Sequence, residues 1–185
     1  MIPLILIVIN VIIFIIPYFV TFRGPFDNFT NFLMLGWKEN AAIRDGEFYR
    51  LFTSNFLHGD ITHLFVNMFS LYNVGPIVNS VFGNLGFSLI FFLSGIGSSL
   101  TSFWFNPNPS VGASGAIFGL VGALSALAIA TNNISLLFNI LVVIAINVLI
   151  GFLNSTIDNW GHLGGFMFGL VIGFILIYSG QVNRI

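Results

Sequence analysis

Long apolar runs broken by short polar islands make up the whole chain. Six runs approach or exceed the roughly 20 residues a membrane-spanning helix needs: 2–22, 61–80, 85–105, 113–131, 134–153 and 161–179. None alternates apolar and polar residues over about 10 positions, as the strands of a membrane barrel do. Helices are therefore predicted, because a helix satisfies its own backbone hydrogen bonds where lipid offers none. Connections are short except for 23–60. That loop carries Trp37, Tyr49 and several phenylalanines, which predicts a segment folded at the membrane interface. The expected fold is an all-α membrane protein, a six-transmembrane-helix bundle forming a single domain over 1–185.

Composition agrees. Charged residues make up 6% of the chain and hydrophobic ones 57%, against about 25% charged in soluble domains. Net charge is −1 and no basic run exists, which excludes a nucleic-acid surface. The absence of cysteine excludes disulfides, thiolate metal sites and a cysteine nucleophile. The run 2–22 lacks a basic flank and a small-residue cleavage site, so a retained helix is expected rather than a signal peptide.

Six spans place both termini on one side, and spans two, four and six then begin on the other, at the long loop. Three polar motifs lie at those beginnings: His63-x-x-x-Asn67, Gly112-Ala113-Ser114-Gly115 and Gly161-His162. Strongly polar groups in lipid are functional candidates. Ser114 is a weak nucleophile until a base takes its proton, and His162 is the best base. They are 48 residues apart, so their meeting requires close helix packing. Gly115, Gly119 and Gly122 form one small-residue stripe and Gly165, Gly169 and Gly173 another, with His162 at its end. His63 and Asn67 share one helix face. They can donate to an oxyanion alongside the Ser114 backbone amide, or clamp two helices together. Asp158 and Asp60 read as loop charges or helix caps, so a Ser–His dyad is expected rather than a triad. A zinc site of His58, His63 and His162 lacks the helical ligand pattern, and no metal or cofactor is expected.

Four motifs in order resemble the rhomboid family of intramembrane serine proteases. They are Glu47-Phe48-Tyr49-Arg50, His58 to Asn67, Gly112 to Gly119, and Gly161 to Gly169. The resemblance covers all six spans and implies a minimal six-helix core with a partly membrane-embedded first loop. It implies Ser114 as nucleophile and His162 as general base. It implies His63, Asn67 and the Ser114 amide as the oxyanion hole. Gly112, Gly115, Gly119, Gly165, Gly169 and Phe118 are expected to pack the site. Glu47, Tyr49 and Arg50 are expected to tie the loop together. Tyr49 departs from a frequent tryptophan, and Phe118 from a tyrosine that stacks on the histidine. The resemblance also implies a movable gate formed by residues 154–160 and span five.

The expected activity is endopeptidase cleavage in or near the transmembrane segment of a membrane-protein substrate, with a small residue before the scissile bond. A non-enzymatic membrane binder and a small transporter are the competing classes. The transporter lacks an inverted repeat, a charge ring and a broken helix pair. The two guides to orientation disagree. Four of the five Lys/Arg lie in 23–60 and only Arg184 lies opposite, which by itself puts the loop in the cytoplasm. The resemblance puts the loop and the site on the far side and the termini in the cytoplasm. Its motifs outweigh four basic residues mixed with five acids.

Overall fold

The computed structural model describes residues 1–153 and 156–182. The described chain is helical apart from its connections. It comprises α1 (Ile2–Ile15), α2 (Asn28–Met34), α3 (Asn40–Arg44), α4 (Arg50–Thr53), α5 (Ile61–Phe105), α6 (Ser114–Ala130), α7 (Ile134–Leu153) and α8 (Asn159–Tyr178). Three helical segments are long and apolar enough to cross a membrane: Ile61–Phe105, Ile134–Gly151 and Asn159–Tyr178. Ile2–Tyr18 and Ser114–Ala130 are shorter apolar helices. The chain is an integral membrane protein.

Predicted spans two and three form one continuous stretch, α5, of 45 residues. At about 1.5 Å per residue it would be about twice the thickness of a bilayer core if straight. It is not straight, because Gly83 has φ 68° and ψ 177°, a conformation open to glycine, and breaks the helix there. The break falls inside the predicted 80–85 boundary.

Predicted span one is too long. The α-helix ends at Ile15 and a 3₁₀ turn, Ile16–Tyr18, closes it, so residues 19–22 leave the helix. Asn28 then replaces the missing helical partners: its side chain donates to the carbonyls of Pro17 at 2.5 Å and Val20 at 3.0 Å, and accepts from the Phe22 amide at 2.5 Å. Predicted span six begins two residues early, at Asn159. Residues 154 and 155 of the predicted gate, and Arg184, lie outside the described residues.

Acidic side chains start four of the other helices. Asp27, Glu39, Asp60 and Asp158 cap α2, α3, α5 and α8, each accepting a first-turn backbone amide. The first loop is thus built from three short helices and a 3₁₀ turn, Ser54–Phe56. Arg50 is its pin. Its guanidinium bonds Glu47 at 2.6 Å and donates to the carbonyls of Met34 at 2.7 Å and Trp37 at 3.2 Å.

The centre of the molecule is the meeting of α6, α8 and the second half of α5. Glycine makes it possible. A Cβ on Gly165 would overlap the carbonyl of Gly115, and one on Gly169 the carbonyl of Gly119. The α6 glycines do not form the single stripe expected from spacing. Gly115 and Gly119 turn their missing side chains toward Ser98 and Ser94 of α5, while Gly122 faces Phe166 and Leu170 of α8. α6 is therefore wedged between two helices, with apolar residues such as Leu120 and Ala123 fully buried.

Candidate active site

Ser114 is the first residue of α6 and His162 the fourth of α8. The Gly115–Gly165 contact lies one residue beyond Ser114 and three beyond His162, so this close approach of the two backbones sets the distance between the side chains. Ser114 Oγ and His162 Nε2 lie 2.8 Å apart. This is hydrogen-bond distance and within reach for proton transfer. The Ser114 hydroxyl is thus turned to the imidazole rather than back to a carbonyl of its own chain. Phe118, one turn along α6, lies flat on the imidazole, with ring centroids 4.4 Å apart and planes 16° from parallel. Of the two expected departures, Phe118 keeps the stack. Tyr49 keeps a polar anchor, its hydroxyl donating to Glu47 at 2.8 Å.

Gly112 brings the histidine of α5 to the serine motif. Its φ of 125° is strained for other residues, and a Cβ there would fall 2.6 Å from His63 Nε2 and 3.8 Å from Asn67 Nδ2. His63 and Asn67 therefore both border the turn that leads into Ser114. The Asn67 amide donates to the His63 carbonyl at 3.0 Å. His58 is buried beneath them, edge-on to His63 with centroids 5.1 Å apart. The Ser114 amide is at the start of α6, where the first N–H groups have no partner within the helix.

A small polar cleft opens beside this pair. Ser114, Gly112 and His162 form part of its wall, and Ser54, Ser98, Ser102 and Asp158 another. Ser102 donates to the Asp158 carboxylate and lies 3.3 Å from the Ser110 hydroxyl. Sequence reading passed over Ser94, Ser98 and Ser102, although their i, i+4, i+8 spacing marks a polar stripe on an apolar helix.

Lys38 was also passed over. It has no exposed surface. Its ammonium donates to the carbonyls of Asn106 at 2.8 Å and Asn108 at 2.6 Å and to Asn40 at 3.1 Å. Its backbone pairs with Ser110 in both directions, at 2.9 and 3.1 Å. One residue thereby fastens the first loop to the segment that carries the serine motif. Burial pushes the Lys38 ammonium down from its ordinary value, opposed by attraction to Asp158 and Glu39. The Glu47 carboxyl is held below its ordinary value by the Tyr49 hydroxyl and then by Arg50.

The Rhomboid domain profile matches residues 45–179, which run from the Glu47–Arg50 pin to the end of α8. The chain is 43% identical over 150 residues to Rhomboid protease GluP of Bacillus subtilis (strain 168), covering 80% of this chain and 30% of that protein. RHOMBOID-like protein 1 of Arabidopsis thaliana is 40% identical over 148 residues, covering 77% of this chain and 38% of that one. Inactive RHOMBOID-like protein 8 of the same plant is 41% identical over 156 residues, covering 81% and 44%. The chain thus spans less than half the length of these three relatives. On the match to 45–179 and on these identities, this chain belongs to the rhomboid family.

Proposed function

We propose that this chain is an intramembrane serine endopeptidase that cuts a peptide bond in or near the transmembrane segment of a membrane-protein substrate. The observation that carries this reading is the 2.8 Å contact between Ser114 Oγ and His162 Nε2. One named relative is inactive, so membership of the family does not decide activity. A serine and an imidazole at bonding distance beside a polar cleft speak for it.

In this reading His162 takes the Ser114 proton as Oγ bonds to the scissile carbonyl carbon. The carbonyl electron pair moves to oxygen, and His63, Asn67 and the Ser114 amide donate to that oxyanion. Such donors are each worth about 3 kcal/mol. As the intermediate collapses the C–N bond breaks, and His162 passes its proton to the leaving amine. Water then gives a proton to His162 and attacks the acyl ester. The C–Oγ bond breaks, Ser114 regains its hydrogen, and a carboxylic acid leaves. The cleft lined by serines is the route by which water reaches the ester, and no cofactor enters the scheme. A small residue before the scissile bond is favoured because helices packed through glycine leave little room.

The break at Gly83 supports counting α5 as two spans, which gives six within one transmembrane domain. Both termini then lie in the cytoplasm and the cleft opens on the opposite side, with the first loop partly embedded beside the bundle. Residues 154–160 and α7 are the gate in this scheme.

Labelling of the purified, detergent-solubilised protein with a fluorescent fluorophosphonate tests the reading. Wild type is expected to label, while Ser114→Ala and His162→Ala are not. Folded wild-type protein that never labels would favour the alternative, a membrane binder that holds client helices without cutting them.

A further inference from the structure

His162 faces an electrostatic problem that the Ser–His pair does not solve alone. As the fourth residue of α8 it sits at the positive pole of that helix, where a cation is disfavoured. Yet the reaction proposed above makes His162 an imidazolium each time it accepts the Ser114 proton. A protein can offset such a charge with a carboxylate held nearby and kept from wandering.

Asp158 is held in this way. It is the N-cap of α8: one carboxylate oxygen accepts from the Gly161 amide at 3.0 Å, and its backbone carbonyl accepts from the His162 amide at 3.0 Å. The other carboxylate oxygen accepts from the Ser102 hydroxyl on α5. The buried Lys38 attracts it from the first loop. Asp158 borders the same cleft as Ser114 and His162, and stands one helical turn before His162, within electrostatic reach of its ring. Both oxygens are engaged elsewhere, by Gly161 and Ser102, so the carboxylate acts on the imidazole by its field and by fixing the turn from which His162 projects. A helix cap alone needs no partner on another helix; the Ser102 bond is what aims this cap.

We propose that Asp158 is a positioning residue for His162, a carboxylate fixed by Ser102 and the start of α8 that stabilises the imidazolium formed when Ser114 is deprotonated. The proposal rests on the Ser114–His162 reading. It adds an acid that acts without joining a hydrogen-bonded triad.

Asparagine and serine both cap helices well but carry no charge, so Asp158→Asn and Asp158→Ser separate the two roles of this residue. The measurements are the rate of fluorophosphonate labelling, kcat and KM on a transmembrane substrate, and the thermal midpoint. In both variants labelling rate and kcat are expected to fall about 5- to 30-fold, the upper range of a favourable charge at a helix end. KM and the thermal midpoint are expected to stay near wild type. A stable variant that labels at the wild-type rate overturns the proposal and leaves the dyad standing. A fall in rate matched in both variants by a fall in thermal midpoint also overturns it, since the role is then the cap alone. Labelling that is absent from wild type, or equal in Ser114→Ala, overturns the dyad reading itself.

Discussion

Phe118 lies flat on His162, 4.4 Å between ring centroids. The stack holds the imidazole broadside, with its Nε2 edge toward Ser114. An aromatic contact of this kind is worth about 0.5–1.5 kcal/mol beyond burial. Phe118→Leu keeps much of the volume and loses the stack, and kcat is expected to fall about tenfold, the size of 1.4 kcal/mol. Phe118→Tyr keeps the ring and is expected to stay within about twofold of wild type. Steady-state kinetics on a transmembrane substrate read both. An unchanged kcat in the leucine variant would show that the stack does not orient the base.

Gly165 tests the packing beside the site. An added methyl group would overlap the Gly115 carbonyl and fall 2.7 Å from its carbon, a backbone obstacle that no side-chain rotation relieves. Gly165→Ala is expected to destabilise by about 1–3 kcal/mol, to separate α6 from α8, and to abolish labelling of Ser114. Gly59 has open space where its Cβ would stand, so Gly59→Ala is the matched control and is expected to behave as wild type. Thermal unfolding with labelling of both proteins checks this. Normal labelling in Gly165→Ala would mean that the close approach is not what sets the dyad distance.

The first loop carries a pH dependence. The folded protein holds the Glu47 carboxyl below its ordinary value of 4.5, so on acidification the unfolded chain takes up the proton first. The contribution is fully present above that ordinary value and is lost as pH falls through the lowered folded value. Wild type is expected to lose thermal stability across that acidic window more steeply than Glu47→Gln. The difference is small and salt-sensitive, because Glu47 is half-exposed. Parallel curves for the two proteins would contradict the assignment.

Lys38 is expected to order the segment ahead of the nucleophile. Lys38→Met fills the same space but removes the donor to the Asn108 carbonyl and one of the two donors to the Asn106 carbonyl, which keeps the Asn40 amide; a hydrogen bond from a charged group contributes about 1.5–3 kcal/mol. Hydrogen exchange at residues 106–112 is expected to rise by about tenfold or more, with α8 little changed. Unchanged exchange there would show that the backbone pairing with Ser110 suffices.

Much of this site was legible in the sequence because hydrophobic length and residue spacing encode it directly. Counting spans brings Ser114, His162, His63 and Asn67 to one end of the bundle, and the structure does bring Ser114 to His162 and Gly112 to His63. The gap between two apolar runs located the Gly83 break. What spacing does not encode is direction. Gly115, Gly119 and Gly122 share a stripe in the sequence, yet the first two face α5 and the third α8, because α6 has neighbours on both sides. Hydropathy carried span one past Pro17, although an asparagine eleven residues on in the loop ends the helix. In the sequence Lys38 is only one of the four basic residues of the first loop, and its burial depends on carbonyls about 70 residues away in the chain. Asp158 was legible as a cap, but its bond to Ser102 crosses helices and leaves no local trace.

The central claim is that Ser114, activated by His162, cuts peptide bonds inside a membrane. The most direct measurement reconstitutes the purified protein in liposomes with a model single-span substrate and identifies products by mass spectrometry. Wild type is predicted to yield two fragments from a cut in or beside the span after a small residue, and folded Ser114→Ala to yield none. Cleavage that persists in pure Ser114→Ala protein would contradict the account.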